Sequence, residues 1–340
     1  MSDRFFTAVE LDPELLPGAR NAVQTCLRVK PTERVTIITD EATQQIAAAL
    51  ESEVEKASAG HAVFVLEDYA ARPMADMPKV ILDDLAQSQV SIFCAQTQRG
   101  ELGSRMQMSD VVNRNRIRHG HMVNVTRQIM LEGMRADFAA IDALSQRLVE
   151  RARMAQQIKC RTPAGTDFSA EFSANLKWLK TSGIITPEKW GNLPGGEIFT
   201  SPHNSSGVFV VDGVVGDYLC QKYGDLHDSP LTIVVENSRI RDLKCANRDL
   251  LEEFRAYTST DENSDRVGEF ALGTNTACTR VIGNILQDEK IPGIHIAFGH
   301  PYAEHTGANW ISKTHIDCVG RDFDIWFDDE QVMKAGKFLV

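Results

Sequence analysis

In the first half of the chain, short apolar runs alternate with helical patterns. VTIITD (35–40) precedes a helix-like segment over 41–56; HAVFVLED (61–68), a helical VILDDLAQ, VSIFCA (90–95), a polar helix around 105–118 and HMVNV (121–125) follow in order. Runs rich in Val, Ile and Phe read as strands, and the segments between them as crossover helices. Parallel neighbours need a long connection, so the alternation predicts a parallel α/β sheet. Neither G-x-G-x-x-G after the first strand nor G-x-x-x-x-G-K-[ST] occurs anywhere, which leaves this sheet as a scaffold without a nucleotide phosphate site.

The pattern changes after AAIDALSQRLVERARMAQQ (139–157), whose apolar residues recur at helical spacing. From Ile158 onward, IKCRTPAGTDFSAEF, GEIFTSPHNSSGVFVVDGVV, LTIVVENSRIRDL, IHIAFG and FDIWFDD alternate apolar and polar positions between Gly, Asn, Asp and Pro punctuation. Such runs predict antiparallel sheet. The expected architecture is therefore α/β: an N-terminal parallel α/β domain over 1–157, then a mixed, largely antiparallel α+β domain over 158–340.

Composition narrows the partners. The chain has 340 residues, 43% of them hydrophobic and 24% charged, with a net charge of -11. That charge opposes a nucleic-acid or anionic-membrane partner unless a local basic patch offsets it. The best patch, RNRIRHGH (114–121), reads as a solvated helix end and turn. The seven cysteines stand singly, with no C-x-x-C pair, as reduced core thiols would. The amino-terminal MSDRFFTAVELDPELLPGAR has no apolar h-region, and no later run approaches the roughly 20 apolar residues of a membrane helix. A cytoplasmic protein is expected.

Residues 293–318, GIHIAFGHPYAEHTGANWISKTHIDC, hold four of the nine histidines. In a strand, His315 and Asp317 at i and i+2 project from one face, half of a divalent metal site, although a histidine bonded to a turn would give the same pattern. His295 alternates with Ile294 and Ile296 and is either a satisfied half-buried side chain or a ligand aimed into a cleft. Glu197 and Glu269 each follow a glycine at the head of an apolar run, where a buried carboxylate is costly unless paired or metal-bound, and a solvated strand end is the alternative. Together, three carboxylates and two imidazoles make the ligand set of a co-catalytic centre of two divalent ions, suited to Zn2+, Co2+ or Mn2+. Tyr302, seven residues after His295, could supply a proton or a hydrogen bond to a developing oxyanion. His203, His300 and His305 flank these positions as substrate contacts or exposed loop residues, Asp288 and Glu289 read as a solvated turn or helix end, and Cys318 should face away from the ligands.

GTDF (165–168), GEIFTSP (196–202), GEFALGTN (268–275), NILQDEKIPGIHIAFG (284–299), Tyr302, GANWISKTHID (307–317) and the closing AGKFL occur in the order that resembles the thermophilic metalloaminopeptidase family of aminopeptidases T and S. The resemblance covers about 158–340. It implies that Glu197, Glu269, His295, His315 and Asp317 are metal ligands, with Tyr302 catalytic beside them and Glu197 or Glu269 also moving protons. It further implies a homodimer that removes amino-terminal residues from small peptides. Two features depart from the family: the chain is shorter, and H-I-D stands where H-W-D is usual. Iron-dependent dioxygenases that open 2,5-dihydroxypyridine rings share the carboxy-terminal H-x-D. Such an enzyme needs one ferrous ion held by two His and one carboxylate. Retention of both Glu197 and Glu269 therefore favours hydrolysis, of a peptide or of a specialised small amide. A silent metal-binding scaffold is the non-enzymatic alternative.

Overall fold

The computed structural model describes residues 9–188 and 191–340; the first eight residues, part of the amino-terminal stretch weighed above, lie outside them. The chain divides into two compact units, residues 1–139 with 183–195, and residues 140–182 with 196–340.

In the first unit, the strands β1 (Arg34–Thr39), β2 (Gly60–Val65), β3 (Val90–Cys94) and β4 (Arg118–His121) form a parallel sheet. Its order is β2-β1-β3-β4, and Gly191–Asn192, which is β8 in chain order, adds parallel to β4. Asp40 ends β1 and caps the helical stretch after it, accepting the Thr43 N–H at 3.0 Å. Its other oxygen meets the buried Arg72, which also pairs with Glu67 and Glu101. Three carboxylates around one guanidinium satisfy the donors that burial would otherwise leave unpaired.

The basic stretch at 114–121 corrects the sequence reading. The helix Leu102–Asn115 stops at Arg116, whose left-handed φ of 53° turns the chain, and Arg118–His121 is a buried strand of the sheet instead of a solvated turn. Arg118 is held by Glu33. His119 is buried between Ser91 Oγ, 2.8 Å from its Nδ1, and His121 Nδ1, 3.2 Å from its Nε2. A nitrogen-to-nitrogen bond needs one donor and one acceptor, so the two rings cannot both be cations.

The second unit contains β5 (Gln157–Arg161), β6 (Asp167–Glu171), β7 (Leu179–Lys180), β9 (Glu197–Thr200), β10 (Asn204–Val211), β11 (Leu231–Glu236) and β12 (Arg239–Lys244). It continues through β13 (Val267–Gly273), β14 (Gly293–Gly299), β15 (His315–Val319), β16 (Asp324–Phe327), β17 (Glu330–Lys334) and β18 (Lys337–Phe338). They make two sheets, β12-β11-β10-β6-β5-β16-β17-β18 and β15-β14-β13-β9-β7. Every strand pair in both is antiparallel. One hydrophobic core joins Phe168, Phe209 and Ile325 of the longer sheet to Ile198, Phe270 and Phe298 of the shorter.

The division differs from the expected break at 158. The helix Phe138–Ala152 buries Leu144, Leu148, Val149 and Ala152 in the core of the second unit, so all but its first two residues belong there. Residues 183–195 return to the first unit, where Gly191–Asn192 pairs with β4. Helical periodicity shows which face of a helix is apolar and not which core receives it. The seven cysteines are thiols outside any disulfide, and six are buried. No helix among the described residues is long and apolar enough to cross a membrane.

Burial pushes His119 down to about 3 and His121 down as well. A histidine with a depressed folded pKa contributes stability above its unfolded value of about 6.5 and loses it as pH falls toward the folded one. Lowering the pH from 7 to 5 should therefore cost about 2 kcal/mol through His119. Urea unfolding of the wild type and of His119→Gln at both pH values checks this; equal pH dependence in the two proteins would refute it.

Candidate metal centre

Pairing register puts the expected ligands on one face of the shorter sheet. Side chains of directly opposed residues share a face, and alternate residues along a strand do too. Glu197 opposes Gly273, His295 opposes Ala271, Glu269 and Asp317 both oppose Ala297, and His315 opposes Gly299. One surface thus carries Glu197, Glu269, His295, His315 and Asp317, with Ala271, Gly273, Ala297 and Gly299 between them. The small residues leave room for the long polar ones. The opposite surface carries Ile198, Leu272, Ile294, Ile296, Ile316 and Cys318, all in the core, so Cys318 does face away as expected.

Two glycines make this register possible. A bulge at Gly268 lets Val267 face the core while Glu269 faces the ligands, although strict alternation would put both on one side. A Cβ there would lie 2.2 Å from the Gly299 carbonyl oxygen. At Gly273 a Cβ would lie 1.9 Å from the Ile291 carbonyl oxygen, so the segment leading into β14 rests directly on the end of β13.

The donors converge. His295 Nε2 lies 3.6 Å from Glu197 Oε2 and 3.6 Å from Glu269 Oε1. His315 Nε2 lies 3.3 Å from Asp317 Oδ1 and 3.7 Å from Glu269 Oε2. His315 Nδ1 is 3.0 Å from the His300 carbonyl oxygen, which can only accept. The proton therefore sits on Nδ1, and Nε2 is directed at the carboxylates with its lone pair available in the neutral ring, the outer-sphere arrangement that orients histidine ligands. Glu197 Oε1 accepts from the Thr181 hydroxyl at 2.8 Å.

Three neighbours were misread in part or passed over in the sequence. Asp288 and Glu289 do stand at a helix end, that of Ile285–Asp288, but it is not solvated. Asp288 is buried and accepts the Ile282, Gly283 and Asn284 N–H groups, each at 2.9 Å, which pins the loop before β14; burial nevertheless pushes its carboxyl up to about 6. Glu289 reaches the ligand cluster: its carboxylate, His295 and Asp317 offer ligand atoms within 4.8 Å of one another, as do Glu197, Glu269 and His295. Lys290, 1% exposed, places its ammonium 2.8 Å from Glu197 Oε2 and 2.5 Å from Glu289 Oε1. Nothing in QDEKIPG marks this lysine, because an Asp-Glu-Lys triplet before Pro and Gly reads as surface.

The charge on this face is strongly acidic. Burial raises Glu269, and it raises Glu289 to about 8. Glu197 is held below the ordinary range because Lys290 and His295 outweigh its burial. Burial lowers His315, yet Asp317 and Glu269 beside it carry it up to about 10, while Asp317 is drawn down to about 2 against its own burial by His315. Four ionised carboxylates would outnumber one ammonium beside two neutral imidazoles, and the raised Glu269, Glu289 and His315 answer that imbalance by holding protons where no cation sits. This donor set fits a divalent ion.

Tyr302 is half-buried at the edge of the cluster, its ring centroid 4.9 Å from that of His315 and 5.9 Å from that of Phe199. Its backbone has a φ of 49°, uncommon for a residue with a side chain, and its N–H donates to His300 Nδ1 at 3.1 Å. His300 thus packs beside Tyr302, whereas His305 and His203 are exposed.

Comparison with known proteins gives the chain's family and fold. Over 146 residues the chain is 31% identical to aminopeptidase AmpS of Bacillus subtilis (strain 168), which covers 41% of this chain and 34% of that protein. The matched part thus spans about a third of the relative's length. Two solved structures share the fold over almost the whole chain. AmpT from Thermus thermophilus matches with a TM-score of 0.70 at 16% identity, covering 96% of this chain and 99% of that one. The 2,5-dihydroxypyridine dioxygenase of Pseudomonas putida KT2440 matches with a TM-score of 0.70 at 15% identity, covering 96% of each. The profile of the thermophilic metalloprotease (M29) family matches residues 138–322, which hold all five expected ligands, Tyr302, Glu289 and Lys290, and the chain belongs to that family.

Proposed function

We propose that this chain is a metal-dependent aminopeptidase, acting through Glu197, Glu269, His295, His315 and Asp317 on the amino-terminal residue of a small peptide or amide. The observation that carries the reading is the single sheet face on which these donors converge, within the stretch that matches the metalloprotease family. Zn2+, Co2+ or Mn2+ suits the mixture of imidazole and carboxylate. The five donors would serve the two ions expected from the sequence, and Lys290 among them bears on that number. A cytoplasmic homodimer is part of the same proposal, by analogy with the family.

A divalent ion bound here supplies Lewis acidity, polarising a scissile carbonyl and acidifying water. The protein's own groups do the rest. Glu269, raised by burial, is placed to take a proton from the attacking water and return it to the leaving amine. Tyr302, whose phenol is raised well above its ordinary value by burial among carboxylates, stays protonated and donates to the carbonyl oxygen as negative charge develops. The carboxylate excess attracts the substrate's free ammonium, which accounts for selection of an amino terminus. His300 holds His315 in one tautomer.

The structural likeness to a ring-cleaving dioxygenase supports a second reading, a mononuclear iron oxygenase. It accommodates poorly the carboxylates beyond the one that a two-His, one-carboxylate iron needs.

Leucine p-nitroanilide should be hydrolysed, with activity lost on chelation and restored by Zn2+, Co2+ or Mn2+; no hydrolysis, together with oxygen uptake on 2,5-dihydroxypyridine, would favour the second reading. Glu269→Gln should lower kcat at least about 100-fold. Tyr302→Phe should lower kcat by about 100-fold with KM little changed, as for loss of one oxyanion donor. Wild-type turnover in Glu269→Gln would exclude the proton-transfer role.

A further inference from the structure

We infer that the Lys290 ammonium fills one of the two cation positions of this centre, so that the chain binds a single divalent ion. The inference rests on the metal-hydrolase reading for its ligands and departs from the two ions expected of them.

The placement of Lys290 is fixed by the fold. Gly273 is paired with Glu197, and its missing side chain lets the backbone of Lys290 and Ile291 rest on the end of β13. The Asn275 N–H donates to the Lys290 carbonyl at 3.0 Å, and the Lys290 N–H donates to the Gln287 carbonyl at 2.9 Å. Asp288 pins the preceding loop through three backbone N–H groups. From that anchor the buried side chain reaches Glu197 and Glu289, both themselves largely shielded from solvent.

The partners of the ammonium determine the consequence. Two three-donor groups could each hold an ion, Glu197, Glu269 and His295, or Glu289, His295 and Asp317, and they share the His295 imidazole. Lys290 binds one carboxylate of each, Glu197 in the first and Glu289 in the second. Glu197 is engaged at both oxygens, by Thr181 and by Lys290. The donors that Lys290 does not touch are Glu269, His295, His315 and Asp317, linked in a chain by His295 to Glu269 at 3.6 Å, Glu269 to His315 at 3.7 Å and His315 to Asp317 at 3.3 Å, two imidazoles and two carboxylates that could close on one ion. A second divalent ion would have to share Glu197 or Glu289 with a buried ammonium, where like charges repel with little screening. Lys290 is then a positioning residue: it orients Glu197 and Glu289 and replaces an exchangeable cation with a covalently tethered one.

The test is metal stoichiometry, read independently of turnover. Protein stripped with chelator, loaded with Zn2+ and freed of unbound metal by gel filtration should contain one ion per chain by elemental mass spectrometry. Lys290→Met, which removes the ammonium and leaves Glu197 and Glu289 free, should rise to two, while Lys290→Arg, which keeps a cation, should stay at one. Two ions in the wild type would overturn the inference without touching the aminopeptidase reading. One ion in a folded Lys290→Met would also overturn it. Should Lys290→Met fail to fold, the wild-type count alone decides. One ion in a wild type that hydrolyses no amide would sink the aminopeptidase reading and leave this inference standing. No retained ion would refute both.

Discussion

The second unit is organised around the cost of burying like charges. Glu197, Glu269, Glu289 and Asp317 face one another from four neighbouring segments, and water reaches them poorly. Taking a carboxylate out of water costs several kcal/mol unless a cation or hydrogen-bond donors replace the lost solvation. The replacements here are specific: Lys290 and Thr181 for Glu197, Lys290 for Glu289, and His315 for Asp317. The rest of the unit keeps these pairs in register. Its apolar sheet face lies in the common core, and a slip of one residue in β14 would move His295 into that core and an isoleucine among the carboxylates.

The same constraint explains why the fold can serve different chemistry. The scaffold fixes which positions project onto the polar face, and the residue types at those positions fix what the face binds. This chain matches AmpT and the dihydroxypyridine dioxygenase with equal TM-scores of 0.70, so backbone likeness does not choose between hydrolysis and oxygenation. The choice lies in the side chains: Glu197 and Glu269 give this face more carboxylate than a two-His, one-carboxylate iron uses.

Much of this was legible in the sequence, and the failures have common physical causes. The alternation in β14 showed His295 facing opposite to Ile294 and Ile296, and His315 with Asp317 gave the same period-two signal, because both strands have one core face and one polar face. Strand and helix order in the first unit was legible for a different reason: β1 and β3 are buried along almost their whole length and read as continuous apolar runs, although HMVNV (121–125), read as the fourth strand, gives only His121 to β4. Arg118–His121 was not, since a strand built of Arg, His and Gly has no apolar signal; its burial depends on Glu33, Ser91 and the paired imidazoles, which are distant in sequence. The destination of the helix Phe138–Ala152 was hidden because periodicity identifies an apolar face without naming its partner. Glu289 and Lys290 were hidden most deeply: a charged triplet before Pro and Gly has a surface composition, and only the contact at Gly273 turns it inward.

That contact ties a backbone detail to the chemistry of the centre. A methyl group at Gly273 would collide with the Ile291 carbonyl and push the β14 entry segment outward, carrying Lys290 away from Glu197. The charge state of the site is therefore set partly by a residue with no charge and no side chain. A tethered ammonium differs from a bound ion in that it cannot be lost to chelation or exchanged for another metal, and it offers no open coordination position. Placing one beside Glu197 keeps the acidic face electrostatically tolerable before any ion binds, and it confines exchangeable metal to the side bounded by Glu269, His295, His315 and Asp317, next to Tyr302. In this chain, strand register supplies the donors and the packing at a glycine selects which of them remain available.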